Sequence, residues 1–345
     1  MHMADALISP AVGGTMWAAS AGIIGYCSKK IRQDADDQKI PLMAVLGAFI
    51  FAAQMINFTI PGTGSSGHIG GGMILAILLG PYSAFLTMAS VLTIQALFFA
   101  DGGLLALGCN IFNLGFFPCF IAYPWIFKPI AGQRPVEKRL VAAAVISAVF
   151  ALQLGAFSVV AQTVASGVSA LPFGTFVLVM QPIHLAIGLV EGLATTVVVA
   201  FVWKARPEIL DAVTEPKSAE SLSLRKPLIG LLVATVVTGG VLSWFASSNP
   251  DGLEWSIFKT AGTEELAAPQ QGLHASMDKV QQKTALLPDY GFKSETAQAP
   301  PEDHKRGAVV DASKTVSGLV GGTLTLLMAG LIGWIFKRRK KRIET

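Results

Sequence analysis

The sequence predicts an all-α polytopic membrane protein: a seven-helix bundle, then a two-helix hairpin that carries a long extracytoplasmic loop. Three observations carry this reading. Of the 345 residues, 52% are hydrophobic and 14% charged, against about 25% charged in average soluble chains, and the mean hydropathy is +0.57. Apolar stretches near the roughly 20 residues that a helix needs to cross the hydrocarbon layer recur along the chain. Basic residues gather between alternate stretches. With Gly 35 and Pro 18 lacking a short period and Cys only 3, collagen-like, disordered and disulfide-scaffold classes are excluded.

The first stretch runs from Ala11 to Ser28 and stops at Lys29, Lys30 and Arg32. The second, Pro41 to Ile60, ends in a glycine-rich loop over residues 61–72. Met73 to Gly80, with part of that loop, forms a minimal third span before Pro81. The fourth covers Tyr82 to Ala100 and ends at Asp101-Gly102-Gly103. Leu104 to Phe127, Leu140 to Ser166 and Phe173 to Trp203 complete the first unit. Leu228 to Phe245 and Val316 to Phe336 form the hairpin.

Alternating these nine segments puts residues 29–39, 128–139, 204–226 and the tail from 337 on one side. Those four regions hold 19 of the 26 basic residues, the short loops of the opposite side hold none, and the other seven lie in one long loop. Basic residues in short loops mark the cytoplasmic side, so the N-terminus is expected outside and the C-terminus inside a prokaryotic cytoplasmic membrane. Residues 1–10 lack Lys and Arg; without the basic start of a signal peptide, they are expected to stay in the mature protein. The run Lys337 to Arg342 reads as a membrane-edge anchor and not as a nucleic-acid patch.

The expected division is 1–203 as a compact helical unit, 204–226 as a charged cytoplasmic linker, and 227–345 as the hairpin around loop 246–315. That loop is rich in Gln, Ala, Pro and charge from Glu264 to Lys314, a composition that favours partial disorder. Cys27, Cys109 and Cys119 have no Cys-x-x-Cys spacing and read as small packing residues. His274 and His304, in the loop, read as solvated surface.

His2 is the most informative residue. A free amine followed by Xaa-His is a tridentate chelator: amine, His2 amide nitrogen and the nearer ring nitrogen, Nδ1. Loss of the amide proton selects metals that favour planar nitrogen, Ni(II) or Cu(II), over Zn(II) or Mg(II). His68 lies in the glycine loop on the same expected side and is the natural fourth ligand. The competing readings are an unordered terminus, and a thioether Cu(I) site from Met1, His2 and Met3. His184 and Glu191, seven residues apart, share one helix face at 3.6 residues per turn, and buried ionisable groups usually face a bundle interior. Asp5, Gln54, Asn57, Gln95, Asp101, Asn110 and Asn113 are candidates for an outer-half polar lining that orients the ligands. A phosphate loop, His-Glu-x-x-His, Gly-x-Ser-x-Gly and a dinucleotide fingerprint are all missing from the sequence, so nothing reads as catalytic.

Together these residues resemble a family, the substrate-binding membrane components of energy-coupling-factor (ECF) transporters for nickel and cobalt. The resemblance rests on Met1-His2, on Pro61-Gly62-Thr63-Gly64 through Gly67-His68-Ile69-Gly70-Gly71, on Asp101-Gly102-Gly103-Leu104 with Gly108-Cys109-Asn110, and on His184 through Glu191-Gly192. Pro250-Asp251-Gly252-Leu253-Glu254 looks like the signature of the small N component, here fused over 227–345. The resemblance implies the specificity subunit of an ATP-driven importer, working with a membrane coupling (T) component and cytosolic ATPase subunits. It implies a square-planar nitrogen site from Met1, His2 and His68; Asp5, Asn110, Asn113, His184 and Glu191 are this sequence's candidates to stand behind it. The chain departs from the family pattern at Met3-Ala4-Asp5-Ala6, where members carry Ile and a nearby Gly. Nickel is favoured as cargo over cobalt, and no catalytic cofactor is expected. The rivals are a secondary transporter relaying protons through His184 and Glu191, and a structural membrane subunit.

Overall fold

The computed structural model describes residues 2–33, 39–132, 136–205, 225–293 and 310–341, with side chains of the last helix described to Lys337. Met1, most of the 204–226 linker, His304 and the end of the basic tail lie outside the described residues.

The architecture is helical apart from two three-residue strands. Helix α1 (Pro10–Gln33) and α2 (Lys39–Gln54) lead into strands β1 (Phe58–Ile60) and β2 (Ser65–Gly67), followed by α3 (Gly72–Leu79). The strands pair antiparallel, Phe58 opposite Gly67. Helix α4 (Pro81–Phe99) and α5 (Leu107–Ala131) follow, then α6 (Glu137–Ser166) and α7 (Phe173–Ala205). The C-terminal part has α8 (Arg225–Gly240), α9 (Gly252–Ala261), α10 (Gly272–Thr284) and α11 (Ala312–Lys341). Among the described residues five helices are long and apolar enough to cross a membrane: α4, α5, α6, α7 and α11; α2 is a shorter apolar helix.

Two expectations are corrected. The second apolar stretch is not one span: its helix stops at Gln54, and 58–60 turns into a strand. The third is not a span either. Helix α3 has 8 residues, about 12 Å at 1.5 Å per residue, against roughly 30 Å of hydrocarbon. Gly80, at φ 78, closes it and Pro81 opens α4, a break that hydropathy cannot register. The loop at 246–315, expected to be partly disordered, carries α9, α10 and a 3₁₀ turn at Pro288–Tyr290 across its described part, because apolar residues such as Leu253, Ile257 and Leu287 bury themselves against the bundle; residues 294–309 lie outside the described residues.

Packing follows the membrane rule of small residues at helix crossings. A Cβ on Gly192 of α7 would sit 2.6 Å from the Val145 Cα of α6, and one on Gly318 of α11 would sit 2.3 Å from the Gly239 carbonyl oxygen of α8. Helix α11 also packs against α2, tying the hairpin to the first unit. On α7, Leu178, Leu185, Leu189, Leu193 and Val197 are exposed while His184, Ile187, Gly188, Glu191 and Thr195 are buried. The apolar face therefore looks outward and the polar one inward, as the shared face of His184 and Glu191 implied. Helix α5 is wound as a π-helix over Phe112–Phe127 with Pro118 and Pro124 inside, where proline removes the donor for an i−4 bond. All three cysteines are free and buried.

Candidate metal site

Residues 2–9 do not trail in solvent; they thread into the bundle. Met3, Leu7 and Ile8 are 0–1% exposed. Met3 N–H donates to Asn110 Oδ1 (2.8 Å), and Asn110 Nδ2 and Gly103 N–H both donate to the Met3 carbonyl. Asn113 Nδ2 lies 3.6 Å from the Met3 sulfur and pairs reciprocally with Gln162. Asp5 accepts from Ala106 N–H at 2.9 Å, and burial raises its pKa. Asp5, Asn110 and Asn113 thus hold the thread in place, and Asp5-Ala6-Leu7 forms a 3₁₀ turn despite its departure from the family pattern.

This thread carries His2 to His68. The two imidazoles stack, centroids 5.0 Å apart and planes at 17°. His2 Nδ1 donates to Asp101 Oδ1 at 2.8 Å, and its Nε2 has no hydrogen-bond partner. His68 Nδ1 faces the Ile69 carbonyl at 3.1 Å; donation there leaves Nε2 as the lone-pair nitrogen, 3.9 Å from Asp251 Oδ2. Burial pushes the His68 imidazole down to about 3, with His2 adding to the effect and Asp251 opposing it. His68 is therefore neutral at pH 7, the state a metal ligand needs. Burial alone would raise the Asp101 carboxyl, but His2 and the hydrogen bonds from His2 and Tyr290 bring it to about 2.

Two elements hold the His68 loop. Glu191 accepts Gly70 N–H on Oε2 and Gly71 N–H on Oε1, both at 3.0 Å. Gln54 Nε2 donates to the Gly70 carbonyl, and Gln95 Nε2 donates to Gln54 Oε1. From the other side the Pro-Asp-Gly-Leu-Glu segment reaches in: the Pro250 carbonyl accepts from Ser66 N–H at 2.8 Å. Asp251 caps α9, accepting from Leu253 and Glu254 N–H, while Glu254 accepts from Asp251 N–H. This Asp-x-x-Glu capping box satisfies orphan donors at the helix start and aims the second Asp251 oxygen at His68.

The C-terminal part also covers the thread. Tyr290 O–H donates to Asp101 Oδ2 (2.5 Å), Gln281 Nε2 donates to the Ala96 and Gly102 carbonyls, and Leu286 N–H donates to the Phe98 carbonyl. His274, expected as solvated surface, is 5% exposed with Nε2 bonded to the Ile8 carbonyl; this is a correction, since the loop folds onto the thread and buries it. Among the described residues, no three His, Cys, Asp or Glu form a preformed metal cage.

The family described as the cobalt uptake substrate-specific transmembrane region matches residues 2–209. The chain belongs to that family. The PDGLE domain matches residues 225–338. A protein of Haloquadratum walsbyi is 38% identical over 210 residues, 61% of this chain and 93% of that one. The fused nickel transport protein NikMN of Rhodobacter capsulatus is 28% identical over 341 residues, 93% of this chain and 96% of that one. A crystallised transition metal transporter is 28% identical with a TM-score of 0.53, covering 63% of this chain and 99% of that chain.

In this member of the cobalt-uptake family, the structure brings His2 against His68 and buries Gln54, Gln95, Asn110 and Asn113 of the expected polar lining. Asp251 was legible only as part of the PDGLE signature, His274 only as surface, and Tyr290 not at all, because nothing local shows which distant segment a loop residue meets. The spacing Asp251-x-x-Glu254 was the signal that could have shown a helix start there.

Proposed function

We propose that the chain is the substrate-specificity subunit of an ATP-driven ECF-type importer. Its cargo is Ni(II), with Co(II) the alternative, held by the Met1 amine, the His2 amide and imidazole, and His68. The observation that carries the reading is the buried His2–His68 stack at the end of a thread anchored by Met3 and Asp5. A segment fixed to this degree by Met3 and Asp5 is positioned and not merely tolerated, and His2 is the ligand-type side chain it carries to His68. Binding exchanges Asp101 for the metal at His2 Nδ1. A planar set containing an amide nitrogen favours Ni(II), and the name of the Rhodobacter capsulatus relative agrees.

Membrane topology in this reading has the site outside and the C-terminus in the cytoplasm, where a T component and ATPase subunits supply energy. The secondary-transporter reading gains no support: both oxygens of Glu191 hold backbone amides of the glycine loop, a structural task.

The deciding experiment is nickel content and affinity of detergent-purified protein with its native start, beside a version extended by one glycine before Met1. Near-stoichiometric nickel that is lost on extension, and in His2→Ala, supports the chelate. His68→Ala should weaken binding and leave a tridentate remnant. Equal nickel in the native and extended forms would sink it.

A further inference from the structure

Tyr290 belongs to the C-terminal part, yet its hydroxyl reaches the carboxylate that holds His2. It donates to Asp101 Oδ2 while His2 Nδ1 donates to Asp101 Oδ1, so two side chains from opposite ends of the chain share one acceptor. The ring is held independently of the hydroxyl. It stacks on Phe99, centroids 5.2 Å apart and planes at 23°, and meets Phe51 edge-on at 6.2 Å. The Tyr290 carbonyl accepts the Ser317 hydroxyl of α11 at 2.9 Å.

Packing alone does not account for the way the chain delivers this side chain. Asp289 (φ 48, ψ 34) and Tyr290 (φ 60) are consecutive residues in the left-handed region. Among the described residues, the other non-glycine residue with positive φ is Ala100, next to Asp101. Side chains other than glycine disfavour this region, and such conformations persist where the surrounding contacts hold them. All three lie on the two turns that meet at the Tyr290–Asp101 hydrogen bond.

The task of the hydroxyl follows from what Asp101 loses when His2 leaves it. With the metal on the Nδ1 lone pair, the neutral ring carries its proton on Nε2, an atom without a hydrogen-bond partner in the present arrangement. Asp101 then has no donor from His2. An enclosed carboxylate stripped of donors is costly, so the donor that stays behind decides how readily His2 is released. That donor is Tyr290.

We propose that Tyr290 is a positioning residue of the metal site: it holds the Asp101 carboxylate while His2 turns to the metal, and so couples cargo binding to closure of the α10 cover. The inference rests on the proposed chelate and adds to it a residue of the C-terminal part. Coupling of this kind is reciprocal. A donor that eases loading is held more firmly once loading has removed its competitor, and the segment that carries it closes. That segment is already tied to the turn after α4: Gln281 Nε2 donates to the Gly102 carbonyl, and Leu286 and Leu287 N–H to the Phe98 carbonyl.

The test titrates Ni(II) into the detergent-purified full chain with its native start, as wild type, Tyr290→Phe, Asp101→Asn and the double variant. Phenylalanine keeps the ring packing and removes only the hydroxyl. Tyr290→Phe should weaken nickel binding about tenfold, the scale of a hydrogen bond to a charged group. Asp101→Asn, which is neutral, should bind at least as tightly as wild type, and Tyr290→Phe should change nothing further in that background. Nickel should slow amide hydrogen exchange at Leu286 and Leu287 in the wild type and leave it unchanged in Tyr290→Phe. Equal affinity in wild type and Tyr290→Phe overturns the proposal. An equal loss in both backgrounds also overturns it, since a purely structural role gives that result. A version extended by one glycine before Met1 separates the two claims. Nickel lost on extension but indifferent to Tyr290 overturns the coupling alone; nickel unaffected by extension overturns the chelate on which the coupling rests.

Discussion

His2 Nδ1 lies 2.8 Å from Asp101 Oδ1, and the other oxygen of Asp101 accepts the hydroxyl of Tyr290. One carboxylate thus joins the first residues, the turn after α4 and the C-terminal part. Ala100, just before it, adopts φ 55, a left-handed conformation that non-glycine residues rarely take. The turn is held in that conformation at the point where Asp101 meets the histidine.

Tyr290→Phe removes the hydroxyl from a buried, charged acceptor. A hydrogen bond to a charged group contributes about 1.5–3 kcal/mol. The thermal midpoint of the purified protein should fall, and amide hydrogen exchange should rise around Leu286 and Leu287, whose N–H groups bond the Phe98 carbonyl. Unchanged exchange there would mean that Tyr290 does not hold the cover in place.

Glu191→Ala leaves the Gly70 and Gly71 N–H groups without their acceptor. Each unpaired buried donor costs about 1–3 kcal/mol. Loss of nickel retention should therefore accompany the loss of stability, although Glu191 is not proposed as a ligand. Isothermal titration beside thermal melting checks it; full affinity in a destabilised variant would show that the His68 loop keeps its form unaided.

Asp251→Ala should cost about 1 kcal/mol through the lost N-cap, and Asp251→Asn distinctly less. Hydrogen exchange over α9 reads the difference. Equal protection in both variants would mean that the capping box contributes nothing to the order of this helix.

Gly72→Ala should be among the most damaging single substitutions. Its Cβ would lie 2.4 Å from Pro118 Cγ and 2.7 Å from the Leu114 carbonyl oxygen, and overpacking of this kind costs about 1–3 kcal/mol or more. Gly14→Ala in α1, where a Cβ meets nothing within 4 Å, should be neutral or slightly stabilising, since alanine is favoured over glycine in helices by about 1 kcal/mol. Similar melting of the two variants would contradict the packing at Gly72.

Much of the fold was legible because lipid imposes a simple demand: about 20 apolar residues per helix, with the basic residues left between spans. Segments such as 140–166 and 173–203 follow that demand and form α6 and α7. The glycine loop defeated it, because residues 55–80 are apolar enough for one reading and too glycine-rich for another. There the chain makes a hairpin, an extended run and a short helix, an irregular backbone tolerated where protein encloses it. His2 and His68 could be picked out by ligand chemistry, and His184 with Glu191 by helix periodicity, since these are local properties.

The sequence by itself determined the class of protein, most of the helical spans, and the donor types available to a metal. Tertiary structure decided which donors meet. Asp101 reaches His2 because residues 2–9 thread back onto the turn after α4, and Asp251 reaches His68 and His274 reaches Ile8 because helices α9 and α10 fold back onto the bundle. Hydropathy and helix periodicity describe how a segment treats its immediate solvent, and they hold no term for which distant segment arrives on the other side. That choice belongs to burial and hydrogen-bond satisfaction across the whole chain, so the residues around the histidines became visible only once the chain was folded.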